Sequence, residues 1–250
     1  MLNQIIIRAD DLGYSEGVNY GILKTVRDGI IKNVGFMVNM PASLHGYTLI
    51  RDFDLCLGLH INVSAGRPIC SPDIIPSLVQ ANGQFRTSAQ YAAAETDPVA
   101  VDQAILEIYA QYQRFLQIVG RKPDYFEYHA VKSGNLSRAM ELVASQYDLF
   151  YQPASFDGTP TTFHQHVIYP WMGSQQSNYN PQSFLQHVIS NLHPAGYDLL
   201  ILHPGYLDDT ILTLSSLTWP RVKEVTAACS EQTKELLTLS RTQLVTYRDL

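Results

Sequence analysis

The sequence predicts an irregular, TIM-like β/α barrel of about seven parallel strands, with an active site at their C-terminal ends. Two observations carry that expectation. Short, wholly apolar runs alternate with amphipathic helical patterns along the chain, as in a parallel sheet buried on both faces. Acids or imidazoles close four of those runs: Asp10-Asp11-Leu12-Gly13, Gly58-Leu59-His60, Tyr128-His129 and Leu202-His203-Pro204-Gly205. In a barrel the strands fix such side chains in place, while the loops at their C-terminal ends stay open to substrate.

Ile5-Ile6-Ile7 forms the first strand. Ser15 can cap a helix whose Val18, Ile22, Leu23 and Val26 share one face, with Gly29 as its stop. Residues 34–39 and 54–60 read as the second and third strands. Asp97-Pro98 signals a helix start, a capping acid followed by proline at the first helical position. That helix carries Val101, Ile105, Ile108, Tyr112, Phe115, Leu116 and Val119, and Gly120 ends it. Residues 125–129 make the next strand and 148–151 another. Asn180-Pro181 repeats the start signal, for a helix with Phe184, Leu185, Val188 and Ile189. Residues 197–203 form a strand, 221–239 one helix and 244–247 the last strand. Segments 62–96 and 152–180 fall outside the alternation and read as long loops. The second holds Phe156, Phe163, His164, His166, Tyr169, Trp171 and Tyr179. Its aromatics can stack on sugar rings, pack on the barrel rim or meet another subunit.

A chain of 250 residues, 46% hydrophobic and without a composition shift, is expected to form a single domain over residues 1–250. A net charge of −6 leaves no basic footprint, which sets nucleic acid aside as a partner. No apolar stretch approaches membrane-spanning length, and the run before Arg8 is too short for a signal peptide. Cys56, Cys70 and Cys229 form no C-x-x-C pair, in keeping with a reducing, cytoplasmic setting.

Adjacent carboxylates in a regular strand face opposite sides. At the last residues of a strand, just before Gly13, the backbone can turn and bring Asp10 and Asp11 to one opening. His60 ends an apolar run after Gly58, Glu127 shares a strand face with His129, and Pro204 holds His203 extended. One such histidine would be ordinary; several at strand ends beside an acid pair point to a shared site. One carboxylate and two imidazoles can bind a divalent ion and leave positions open for water and substrate. The remaining acid and imidazole can then serve as base and acid. His45, His187 and His193 read as surface or rim residues, and His164 and His166 as features of the aromatic loop. A barrel glycosidase using Asp10 or Asp11 with Glu127 leaves the histidines without a task. A metal-dependent phosphoesterase wants more phosphate holders than Arg67 and Lys132. A non-catalytic sugar-binding protein leaves the acid and histidine cluster unexplained.

At these residues the chain resembles the YdjC-like carbohydrate deacetylases. Ile5-Ile6-Ile7-Arg8-Ala9-Asp10-Asp11-Leu12-Gly13 is similar to the family's apolar strand followed by N-A-D-D-x-G. Gly58-Leu59-His60-Ile61-Asn62 resembles its G-L-H-x-N, and His203-Pro204-Gly205-Tyr206 its H-P-G-Y. The stretch from Gly66 to Phe85, the Arg221-x-x-Glu224 pair and the final Tyr247-Arg248-Asp249-Leu250 are also similar, so the likeness runs from residue 5 to the C-terminus. It implies that Asp11, His60 and His129 hold a divalent metal, magnesium first and zinc as the alternative. It implies Asp10 as general base, His203 as general acid, and hydrolytic removal of an N-acetyl group from an amino sugar or short chitooligosaccharide-like substrate. Arg67, Tyr206, Asp208 and Trp171 are expected to touch the sugar, and a homo-oligomer, a dimer, is the expected assembly. Two departures stand out: Arg8 lies where the family often has asparagine, and Ala130-Val131-Lys132 follows His129 where the family commonly continues with histidines.

Overall fold

The computed structural model describes residues 3–250. Eight strands form one sheet: β1 (Asn3–Leu12), β2 (Asn33–Phe36), β3 (Cys56–Ile61), β4 (Phe126–Tyr128), β5 (Thr161–Phe163), β6 (His166–Trp171), β7 (Tyr197–Leu202) and β8 (Thr242–Val245). Their order is β4-β3-β2-β1-β7-β6-β5, with β8 also paired to β1. Every pairing is parallel except the β5–β6 hairpin, so seven strands share one direction, as expected. The sheet curls into an irregular barrel with β4 and β5 at its edges.

β1 is apolar on both faces because both are covered. Ile5, Ile7 and Ala9 pack into the large core shared with the helices, while Ile6 joins Cys56, Tyr125, Phe163, Leu199, Val245 and Tyr247 in a second, interior cluster. With a period of two, Arg8 and Asp10 stand above Ile6 on that inner face. β8 pairs with the first half of β1 and β2 with the second, on the same side. Asn33 fills the fork: its amide donates to the carbonyls of Ile7 and Val245 and accepts from the Tyr247 N–H.

The surrounding helices are α1 (Glu16–Asp28), α2 (Ser43–Ile50), α3 (Ser88–Ala92), α4 (Val101–Val119), α5 (Gly134–Tyr147), α6 (Pro181–Ser190), α7 (Asp209–Leu214), α8 (Trp219–Cys229) and α9 (Glu231–Leu239). Ser15 and Asn180 cap α1 and α6 through side-chain bonds, and Gly120 closes α4 in the left-handed conformation. Among the described residues no helix is long and apolar enough to cross a membrane.

Several expectations require correction. Asp97 does not cap α4, which begins at Val101; its carboxylate instead accepts from Ser133 Oγ and the Asn135 N–H at the start of α5. Residues 148–151 contribute only the single bridge of Tyr151 to Phe126. The expected helix over 221–239 breaks at Ser230, whose hydroxyl accepts the Thr233 N–H and starts α9. The segment 152–180 is not one loop but holds the β5–β6 hairpin, and 62–96 contains α3 and a short 3-10 turn at Pro72–Ile74.

Candidate active site

At the mouth of the barrel β1 departs from regular geometry. Its register against β2 shifts between Ala9 and Leu12, and Asp11 adopts a φ of 78°. This left-handed residue is a bulge that breaks the alternation of sides, so Asp10 and Asp11 both serve one opening. Gly13 (φ 95°) then turns the chain under β2, where a Cβ would lie 2.4 Å from the Met37 carbonyl oxygen. Only glycine fits there.

Asp11 is fully buried, and its two oxygens have different surroundings. Oδ2 accepts a 2.6 Å bond from Arg221 Nη2. Oδ1 lies 3.3 Å from His60 Nε2 and 3.1 Å from His129 Nδ1, and those nitrogens are 3.1 Å apart. Yet Oδ1 makes no hydrogen bond. Three ligand atoms from three strand ends, closed into a triangle around an orphaned buried acceptor, suit a divalent ion with one carboxylate and two imidazole ligands. Burial alone would raise the Asp11 carboxyl, but His129 and Arg221 outweigh it and hold it well below the usual carboxylate range.

Behind this triangle lies an ionic layer. His60 Nδ1 is hydrogen-bonded to Glu127 Oε1. Arg8 forks Asp10, with Nε at 2.7 Å from Oδ1 and Nη2 at 2.7 Å from Oδ2, and Nη2 lies 3.5 Å from Glu127 Oε2. Burial would lower the His60 imidazole, but Glu127 and Asp10 raise it to about 10. Gly35 of β2 makes the room: a Cβ there would lie 2.8 Å from Asp10 Oδ1 and 3.2 Å from Glu127 Oε1.

His203 follows β7. Its N–H donates a 2.6 Å bond to Glu224 Oε2, its Nδ1 has no partner, and burial lowers its imidazole to about 4 despite Asp11 and Asp10. Asp10, His60, His129 and His203 all line a cavity of 710 Å³, walled further by Tyr14 and Phe156. That volume lies within the range common for small-molecule sites.

The sequence-predicted catalytic and metal residues thus come together; the expected sugar contacts do not line this cavity. Trp171 donates its indole N–H to Asp198 at 2.6 Å, near His187 and His193. It projects away because its neighbours Pro170 and Met172 are the ones that line the cavity. Asp208 caps α7 by accepting the Ile211 N–H and also takes the Gly17 N–H. Tyr206 donates its backbone N–H to the Gly17 carbonyl. Arg67 sits beside Gly83, its carbonyl accepting from Asn39. His164 and His166 flank the hairpin turn and do not line the cavity either. Arg8, Arg221 and Phe156 are site residues the motifs did not single out as such. Arg8 had a signal: a charge on the same strand face as Asp10, inside an apolar run.

Comparison with known proteins places the chain in a family and a fold. A family model described as YdjC-like protein matches residues 4–239. Carbohydrate deacetylase of Geobacillus stearothermophilus is 30% identical over 252 residues, covering 98% of this chain and 96% of that protein. Carbohydrate deacetylase 2 of Listeria innocua is 27% identical over 254 residues, covering 99% and 98%. Among solved structures, an Enterococcus faecalis protein named for cellobiose-phosphate cleavage superposes with a TM-score of 0.83 at 22% identity, covering 100% of this chain and 99% of its own. A family 4 carbohydrate esterase from Streptomyces lividans, in complex with acetate, gives 0.53 at 14% identity over 98% and 92%.

Proposed function

The chain belongs to the YdjC-like protein family, and from that premise we propose that it is a cytoplasmic, metal-dependent carbohydrate deacetylase. Its substrate in this reading is an N-acetylated amino sugar or a short oligosaccharide of such sugars. The observation that carries the proposal is the Asp11–His60–His129 triangle, with all its edges at or below 3.3 Å, beside Asp10 and His203 in one cavity. The names of the relatives from Geobacillus stearothermophilus and Listeria innocua support the carbohydrate and the deacetylation.

Asp11, His60 and His129 would hold the ion, magnesium or zinc. When bound, such an ion supplies Lewis-acid polarisation of an acyl carbonyl and lowers the pKa of a coordinated water. The protein's own groups handle the protons. Asp10, fixed in the cavity wall by Arg8, accepts the proton of the attacking water. His203 enters neutral, takes up a proton from solvent in the open cavity as negative charge grows on the carbonyl oxygen, and hands it to the leaving nitrogen, while Asp10 returns the water's proton to solvent. Arg221, bound to Asp11 Oδ2 and lining the cavity, keeps that ligand oriented. A glycosidase needs a second free carboxyl beside Asp10, and Glu127 is already engaged by His60 and Arg8.

The test is acetate release from N-acetylated mono- and disaccharides, with EDTA treatment and magnesium or zinc add-back. Release that EDTA abolishes and the ion restores is the expected result. Cleavage of the glycosidic bond without acetate, or release indifferent to EDTA, overturns the proposal.

A further inference from the structure

We propose that Arg8 and Glu127 are positioning residues that tie the proton-handling and ion-binding halves of this site into one unit. The inference rests on the reading of the site given above and adds to it how the two halves are held in register.

Arg8, Asp10 and Glu127 are each exposed by 4% or less. Two carboxylates this deep need a cation, and the guanidinium between them is the one that touches both. Arg8 is itself held from behind, by Tyr247 Oη at 3.1 Å from Nη1 and by the Tyr125 ring 5.7 Å from Cζ. Its fork fixes the plane of the Asp10 carboxylate and leaves that group's other lone pairs for the cavity. Asparagine, which the family often carries at this place, has neither the fork nor the charge.

Glu127 acts in the other direction. An imidazole ligand is neutral, so one ring nitrogen must carry the proton while the other binds. With an ion in place Nε2 must give up its proton, and Glu127, accepting from Nδ1, keeps the remaining proton there, so that the lone pair falls on Nε2, the atom facing Asp11 and His129. The 3.5 Å contact between Arg8 and Glu127 joins the two functions, and Gly35 leaves the space that the three side chains fill.

The experiment combines calorimetric magnesium titration with initial rates on the full chain. The variants are Glu127→Ala, Glu127→Gln, Arg8→Gln, Arg8→Lys and the double Arg8→Gln/Glu127→Gln. Glu127→Ala should weaken ion binding by about 10–100-fold, and Glu127→Gln by less, because an amide oxygen still accepts the His60 proton. Arg8→Gln should lower kcat by about tenfold or more while KM stays within about twofold, and Arg8→Lys should restore part of it. In the double variant the loss of ion affinity should be smaller than the product of the single losses. A purely structural role lowers melting temperature without separating kcat from KM or the alanine from the glutamine. Wild-type ion affinity in Glu127→Ala, full kcat in Arg8→Gln, or strictly multiplicative losses would overturn the proposal. If no acetylated sugar is turned over, the titrations still decide the Glu127 half, so that failure is distinct from failure of the deacetylase reading.

Discussion

Glu224 offers a quantitative test of how this site is supported. It has no solvent exposure and accepts the His203 N–H at 2.6 Å and the Tyr179 hydroxyl at 2.8 Å. Burial pushes its carboxyl from the ordinary 4.5 to about 7, with the His203 N–H, Tyr179 and Arg221 pulling the other way. The folded-state value lies above the unfolded one, so the native protein holds this proton more tightly than the unfolded chain. Glu224 therefore contributes stability that is full below 4.5 and is lost as pH rises through about 7. A displacement of that size is worth about 3 kcal/mol, or roughly 6–12 °C in melting temperature for a chain of this length. Glutamine cannot ionise, so Glu224→Gln removes the dependence. Its NH₂ faces one of two donors and costs about 1–3 kcal/mol, but equally at every pH. The readout is the melting temperature of Glu224→Gln minus that of wild type, by scanning calorimetry in EDTA. It should climb by roughly 6–12 °C between about pH 4.5 and 8. His203, shifted oppositely by burial, is present in both proteins and cancels. A difference flat to about 2 °C would refute the reasoning.

The remaining predictions concern the cavity itself. His60→Ala should lose the divalent ion and activity while keeping the fold; full occupancy by elemental analysis would remove it from the ligand set. Asp10→Asn and His203→Ala should keep the ion and lose turnover by ~10²-fold or more, and an ion-free protein in either case would mean ligands had been taken for proton carriers. Phe156→Ala should raise KM, since this 43% exposed ring forms part of the cavity wall. Trp171→Ala should instead lower the melting temperature at unchanged KM, because its indole is bound to Asp198; the opposite pattern would return the sugar contact to Trp171.

The barrel and the clustering of Asp10, Asp11, His60, His129 and His203 were legible because each depends on short-range order. Apolar runs with residues such as Ile5, Ile7 and Ala9 on one face and Ile6 on the other mark a doubly covered strand, and the group at its end marks the mouth. What was not legible depends on partners far apart in sequence. Asp97 looks like a cap for the helix beside it, yet it serves Ser133, 36 residues on. The hairpin of β5 and β6 lies in a segment whose Gly and aromatic content resembles a loop, and its pairing is visible only once β7 is alongside. Eight-residue α2 has no side-chain cap, so nothing local announces it.

The same distinction explains why four expected sugar contacts missed the cavity while the catalytic set did not. Asp10, His60, His129 and His203 are held by strand ends, so their convergence follows from the fold. Arg67, Tyr206, Asp208 and Trp171 stand out only by motif or residue type, and the structure occupies the latter two with backbone and side-chain support. The remaining wall includes the rings of Phe156 and Tyr14, Lys132, and the hydroxyl residues Thr87, Ser88, Ser155 and Ser215. Aromatic faces beside neutral hydroxyls complement the C–H face and hydroxyl edge of a sugar ring. Lys132 stands just past His129, where the resembled family continues with histidines. A lysine there changes the charge of the rim and leaves Asp11, His60 and His129 as they are. Substitution at Lys132 can therefore alter which ligand the rim accepts while the Asp11, His60 and His129 geometry stays the same.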